Sequence, residues 1–527
     1  MSRATLCRRI ENLFQDKMKE IRNILETKAM YVCTTADIWT SRSRRFLGVT
    51  AHWIDNATLT RQSFAIACQR FPGSHTAERI AEVLLDINES FGLNTEKVVA
   101  TVTDNGSNFA KAFREFGVNS LDSFLLDENS NDDEAWRTIS RTAELTSDNV
   151  ENHSLEHDRA VPEQSESLKS LPKQLRCASH TLNLVSAVDV LKIIKSSDYL
   201  SAKHFAAMEK CMDLLNALRS PKSREIFHEH VGVALPRPVV TRWNSLYDTL
   251  GRIVALKEQI VQVSPQIRVT NLLNENDFRY IEGYLKVLKP IAETLDLLQG
   301  ETFCHYGYLF PSLVSLERKL KMLQNSEANT RFSPLITGLI KSLNDRFKPF
   351  FDLDDKVAGA AVAACSHPRF KSRWLVPLSE SIRRKVESIF LQAATEEYQK
   401  GREVTANENV PAQPVDDFFD FGEDPQAFIP HESPTVSVEI ARYMASPSTN
   451  LEMLEEHPLI KRLFIKFNTP LPSSAAVERL FSFATMMDLP KWNRLTDEHF
   501  EQRVLMKANA VKASSNIIND RRSSRSK

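Results

Sequence analysis

Apolar residues at Ile10, Leu13, Phe14, Met18, Ile21 and Ile24 recur three and four apart, the spacing of one helix face, and predict a helix over residues 5–28. The period then drops to two. Leu47, Val49, Ala51 and Trp53 alternate with Gly48, Thr50 and His52, which makes Phe46–Asp55 a strand. Tyr31–Trp39 and Gln62–Gln69 flank it as further strands, close enough to suggest an antiparallel meander. Helical spacing returns from about Thr76 through Ile80, Val83, Leu84, Ile87 and Phe91, and Gly92 stops it. Lys97–Thr103 is a β-branched fourth strand, Leu175-Arg176-Cys177 a short fifth, and His180-Thr181-Leu182 opens a helix. A β-β-β-α-β order belongs to an α/β fold rather than a sandwich.

From about residue 200 the pattern is helical almost throughout. Amphipathic stretches run over Phe205–Leu218, Thr241–Val263, Asp277–Leu298, Pro311–Leu323, Leu335–Phe347 and Ser379–Tyr398, and a last helical block spans about Val436–Val511. Within that block Pro472–Thr485 begins Pro-Ser-Ser, a helix entrance that Ser473 or Ser474 can cap. Val477, Leu480, Phe481 and Ala484 form its apolar face, and Glu478 lies beside it.

Two stretches interrupt the pattern. Asp127–Ser167 holds twelve Asp and Glu against three Arg. Such a segment buries too little apolar surface to offset its ordering entropy and is expected to be a disordered insertion. Residues 401–434 carry five prolines and eight acids against one Arg, the mark of a linker. The chain then divides into an N-terminal helix (1–29), an α/β region (30–126), the acidic insertion (127–170) and the α/β continuation (171–200). An all-α region (201–400), the linker (401–435), a C-terminal block (436–511) and a basic, Ser-rich tail (512–527) follow. Composition predicts disorder for the tail. No internal repeat is visible.

At 527 residues the chain accommodates two or three domains. A net charge of −1 with 42% hydrophobic residues points to a soluble, globular protein without a membrane partner. No apolar run approaches the roughly 20 residues of a membrane span, and the first residues lack the apolar core of a secretory signal. Seven scattered cysteines fit a reducing compartment, and no closely spaced Cys pair is matched by a His pair, so no zinc finger is encoded. The neutral balance gives no broad electrostatic footprint for DNA. Local candidates are Arg42, Arg44, Arg45 and the tail, although a basic run beside a strand is more often a solvated face.

Candidate chemistry rests on carboxylates. Asp37 and Asp104 stand 67 residues apart where apolar, β-rich runs stop, each among small polar residues. Two carboxylates at adjacent strand ends and a third on a facing helix form an oxygen cage for two divalent cations, which clamp the attacking and leaving oxygens in phosphoryl transfer. Spacing alone does not single them out among 68 acidic residues. The aspartates equally suit turn caps, and Glu478 a solvated or Arg-paired helix position.

TTADIWTSRSRRFLGVTAHWID, VTDNGSNF, LRCASHTLNLV, TRWNSLYDTL and SSAAVERLFSFA, in that order, resemble the hAT superfamily of cut-and-paste DNA transposases and their domesticated relatives. The resemblance extends from about residue 2 to 510 and is closest to the BED-finger branch, without the BED zinc finger that normally precedes the core. It implies a predominantly helical protein in which an α/β RNase H-like catalytic core is interrupted by a large all-α insertion domain. Asp37, Asp104 and Glu478 take the places of the three catalytic metal ligands, with Mg2+ or Mn2+ as cofactor and strand cleavage followed by strand transfer as reaction. Cys177 and His180 match a Cys-x2-His motif associated with DNA ends. Trp243 matches a base-stacking Trp, with Arg242 beside it suited to phosphate; a core stripe of Trp243, Leu246, Tyr247 and Leu250 accounts for the Trp as well. Leu459, Leu463, Phe464, Leu480 and Phe481 fall in the dimerisation region, where completing the catalytic core is the plainer role. Near 365, AACSHPRFK departs from the family pattern, with His367 where an acid usually precedes Pro-Arg-Phe. The implied partners are DNA and a second copy of the chain, in the nucleus. Two classes stay open: a transposase core, or a catalytically silent domesticated protein acting through dimerisation and chromatin or DNA binding. A nuclease for RNA hybrids is disfavoured by the helical insertion.

Overall fold

The computed structural model describes residues 2–41, 44–73, 76–117, 170–238, 243–406, 433–488 and 495–523. Most of the expected acidic insertion and of the Pro-rich linker lies outside the described residues.

Five strands form one mixed sheet: β1 (Val32–Ser41), β2 (Arg44–Ile54), β3 (Arg61–Arg70), β4 (Val98–Thr103) and β5 (Gln174–Arg176), in the order β3-β2-β1-β4-β5. β1, β2 and β3 pair antiparallel as the expected meander, whereas β4 and β5 join β1's other side in parallel. A parallel neighbour needs a crossover, which α2 (Ala77–Ser90) supplies between β3 and β4.

Strand alternation assigns the faces. Ala36, Leu47, Val49, Ala51 and Trp53 look towards α1 (Arg3–Thr27), α2 and α3 (Ser107–Phe116), packing on Ile21, Leu25, Ile80, Leu84 and Phe109. On the opposite face Phe46, Ala65 and Cys68 meet Val477, Leu480, Phe481, Phe500 and Val504. The second face is thus covered by helices some 400 residues downstream of the strands they touch.

In chain order, between β5 and those covering helices, come α4 (Ala178–Leu184) and the helices from Asp198 to Ala406, among them α5 (Glu275–Leu298) and α6 (Ala358–Ser366). α5 starts with a capping box, Asn274 with Asp277. The stretch expected as one helix over Thr241–Val263 is two, ending at Ala255 and restarting at Lys257. Ala-rich α6 shows no amphipathic period because most of it is buried all round. α7 (Pro458–Asn468), α8 (Ala475–Met487) and α9 (Asp497–Ser523) complete the chain. The backbone of α9 is helical to Ser523, which corrects the disorder expected for much of the basic tail; Lys507–Ser514 (KANAVKAS) is rich in good helix formers and nothing there breaks the helix. No described helix is long and apolar enough to cross a membrane.

β3 is an edge strand, and α9 closes that edge with side chains. Asn509 accepts from Ala65 N at 2.9 Å through Oδ1 and donates to Ala65 O at 3.0 Å through Nδ2, the two bonds a neighbouring strand would make. Glu501 Oε1 accepts from Cys68 N at 2.9 Å.

Candidate active site

Asp37 sits in β1 opposite Gly48 of β2. Across the parallel pair Ala36 is level with Thr103, so one further step sets Asp37 beside Asp104, on the face that α8 covers. Adjacent strands lie about 4.8 Å apart, which brings two carboxyl groups close at the strand ends. Both are partly anchored by backbone: Ile38 N donates to Asp37 Oδ1 at 2.7 Å, and Gly106 N to Asp104 Oδ1 at 3.1 Å, an Asx-type turn.

Glu478 enters from above, in the first turn of α8, where the helix N-terminus favours negative charge. All three carboxylates meet electrostatically. The Asp37 carboxyl is held well above its usual range, first by burial, then by the charge of Asp104, then by that of Glu478, against the lowering effect of the Ile38 N–H. Three hard-oxygen donors with mutually repelling charge are the chemistry that suits a divalent cation. Among the described residues no three acidic, His or Cys side chains close to metal-ligating distances.

Three contacts fix where α8 begins. Cys177 caps α4: its buried Sγ accepts from His180 N at 3.3 Å and also from Ser474 N, the residue ahead of α8, at 3.3 Å. Burial pushes the thiol pKa up, the amides of Ser474 and His180 oppose it, and Glu478 pushes it up further. The segment before α8 is gripped by Arg61, whose guanidinium donates to Asn468 O and Thr469 O at 2.6 Å each and to Pro470 O at 3.3 Å. Burial lowers the Arg61 pKa to about 10. Arg479 reaches the other way, donating to Glu301 Oε2 at 3.2 Å and Gln299 O at 3.1 Å. Ser474 stands at the N-cap of α8 without a side-chain cap bond; Ser473 Oγ, one residue earlier, accepts from Ala475 N at 3.1 Å.

The remaining candidates are placed differently. Cys177, 1% exposed, is internal, and two backbone amides donate to its sulfur. His180 is partly exposed one turn away, and Asn105 Nδ2 donates to Thr181 Oγ1 at 3.1 Å, tying the Asp104 turn to α4. Arg242 lies outside the described residues; Trp243 opens the Trp243–Ala255 helix, and its side chain is likewise outside them. Leu459, Leu463 and Phe464 are buried in the core shared by the helical region, and Leu480 and Phe481 against the sheet, so all five complete the fold of one chain. Arg44 binds Asp488 Oδ1 at 2.5 Å and Asp497 Oδ1 at 3.5 Å instead of facing solvent alone. His367 is buried, its Nε2 3.3 Å from His305 Nδ1.

Gly48 and Arg61 were missed as supports of the site. A glycine inside an otherwise apolar strand signals close approach of another element, and a lone Arg at a strand start carries no comparable signal.

Residues 35–130 match the family described as the ZBED1 RNase-like domain, a span that contains Asp37 and Asp104 and ends before Glu478. The chain is 22% identical over 350 residues to the human zinc finger BED domain-containing protein 4, covering 64% of this chain and 29% of that protein. The chain thus spans less than a third of that relative's length. Both findings relate it to the BED-type, transposase-derived proteins and place an RNase-like domain on the mixed sheet.

Proposed function

We propose that Asp37, Asp104 and Glu478 are the metal-holding carboxylates of a DNA strand-cleavage centre in a transposase-derived nuclear protein. The observation that carries the reading is the convergence of three carboxylates from β1, the end of β4 and the start of α8, felt in the raised pKa of Asp37. Mg2+ or Mn2+ bound there would neutralise the cluster and activate water for attack on a phosphodiester. Ile38 N–H and Gly106 N–H would orient the two aspartates, and the α8 N-terminus would favour negative charge at Glu478. DNA ends would approach past His180, with Cys177 supporting the site from beneath, and Arg242 and Trp243 would be further DNA contacts. Pairing with a second copy would use surfaces other than the buried α7 and α8 side chains.

A second reading, a catalytically silent protein acting through dimerisation and chromatin or DNA binding, is favoured by one observation: Arg44, a candidate DNA contact, is spent on Asp488 and Asp497.

The test is nicking of a labelled duplex carrying the sequence that flanks this coding region, with Mg2+ or Mn2+, by purified protein and by its Asp104→Asn and Glu478→Gln variants. Nicking lost in both variants supports the cleavage centre. Absence of nicking by folded wild-type protein turns the reading to the silent protein.

A further inference from the structure

Arg479 is the residue after Glu478, and among the described residues its guanidinium reaches the helical region: Nε to Glu301 Oε2 at 3.2 Å, and Nη1 and Nη2 to Gln299 O at 3.2 and 3.1 Å. Gln299 is the C-cap of the 24-residue α5, where carbonyl dipoles concentrate negative charge, so carboxylate and helix end hold the guanidinium together. Glu301 in turn is bound to the sheet. Its Oε1 accepts from Ser63 Oγ at 2.8 Å and lies 3.8 Å from Nδ1 of the buried His52.

From His52 the polar contacts run inward to β1. His52 Nε2 lies 2.7 Å from Thr50 Oγ1, and Thr50 Oγ1 2.6 Å from Thr35 Oγ1, two residues before Asp37 on the same face. His52, Thr50 and Thr35 are all buried, where polar groups are usually paired. A continuous route thus joins the strand of the first carboxylate to the helix of the third, and its middle link, Glu301, comes from the loop that follows α5.

We propose that Glu301 and Arg479 are positioning residues through which the helical region sets the rotation of α8, and hence the distance of Glu478 from Asp37 and Asp104. Residues 478 and 479 are about 100° apart around a helix, so fixing the Arg479 side chain fixes the Glu478 direction. This inference rests on the reading of the three acids as metal ligands. Release of Glu301 would loosen Glu478 without removing a ligand, so that a bound cation would be held by Asp37 and Asp104 with less help from Glu478.

The test uses the full chain and Mn2+ or Mg2+ alone. Thermal midpoints are measured against metal concentration for wild type, Glu301→Gln, Arg479→Gln, the double variant and Asp104→Asn. Expected is a half-saturating metal concentration raised about tenfold in either single variant, with midpoints without metal close to wild type. The double variant is expected to match the singles rather than multiply them, as for residues acting in one contact. An unchanged metal response in both single variants, or multiplicative effects in the double variant, would overturn the positioning role, provided Asp104→Asn still abolishes the response. A wild-type midpoint indifferent to metal would overturn the underlying ligand reading instead. Should either variant lower the metal-free midpoint, Glu301→Asp, which keeps the charge with a shorter reach, separates charge from packing: recovery of the metal response supports the proposal, and no recovery counts against it.

Discussion

Gly48 and Phe481 share the space that one ordinary side chain would need: a Cβ on Gly48 would fall 2.6 Å from Phe481 Cε1 and 2.8 Å from Val477 Cγ2. Gly48 is also the cross-strand partner of Asp37, so the missing side chain lets the helix that carries Glu478 settle directly over the first carboxylate. Trp39 stacks on Phe481 at 5.8 Å and 19° and limits where that ring can retreat.

Gly48→Ala is therefore expected to lift α8 from the sheet. Overpacking of a tight contact costs about 1–3 kcal/mol, and here the neighbours are an aromatic ring and a β-branched side chain on a helix, not a flexible tip. Chemical denaturation should show the loss. Metal-dependent stabilisation should fall with it, because Glu478 moves with the helix; a variant equal to wild type in both respects contradicts the close-approach role.

The pH dependence of stability follows from Asp37. Its folded pKa lies above the unfolded value, so the folded chain binds more protons in the window between the two, and stability falls as pH rises through it. The penalty is fully present above the folded pKa, where the carboxylate is charged beside Asp104 and Glu478. Asp37→Asn removes the charge and keeps the shape. It is expected to unfold at a higher midpoint than wild type at neutral pH without metal, with a flatter profile from pH 4 upward. A lower midpoint at pH 7 would mean that the carboxylate is stabilising where it stands.

Arg61 is expected to matter more than its place at a strand end suggests. Arg61→Met removes the donor to three carbonyls at the end of α7 while preserving much of the aliphatic volume. Leaving buried carbonyls unpaired costs about 1–3 kcal/mol, more where the lost donor was charged. Urea unfolding should show a loss near 3 kcal/mol, and hydrogen exchange should quicken in residues 468–474 ahead of α8. Arg61→Lys should recover only part, since one ammonium cannot match the planar fork.

Much of this architecture was legible because its signals are local. The alternation of Leu47, Val49, Ala51 and Trp53 marked β2, and the 3–4 spacing of Ile80, Leu84 and Ile87 marked α2, both within a residue or two of their observed limits. The partners of β4 were not legible, since parallel pairing is long-range and leaves no trace in the strand's own residues. Arg44 illustrates the same gap: a basic side chain beside a strand looked like a surface group, but Asp488, more than 400 residues later, occupies the place of solvent. Leu459, Leu463 and Phe464 likewise looked like a surplus of apolar side chains until α6 and the Glu380–Ala406 helix supplied the core that takes them. The three carboxylates stand within recognisable motifs, while Glu301, which accepts from Arg479, and Arg61, which binds the carbonyls ahead of α8, carry no motif.

Cys177 offers the sharpest test of how the start of α8 is held. Its sulfur accepts from the amides of His180 and Ser474, one at the start of α4 and one just ahead of α8, so a single side chain caps both. Cys177→Ser keeps an acceptor and should unfold within about 1 kcal/mol of wild type, whereas Cys177→Ala leaves both amides without it and should lose about 1–2 kcal/mol, the usual worth of a cap. A thiol reagent should leave Cys177 unlabelled in the native chain, since the group is buried and its pKa is raised, and label it on unfolding. Fast native labelling, or a serine variant as damaged as the alanine one, would mean that the sulfur is not the acceptor holding these two helices together.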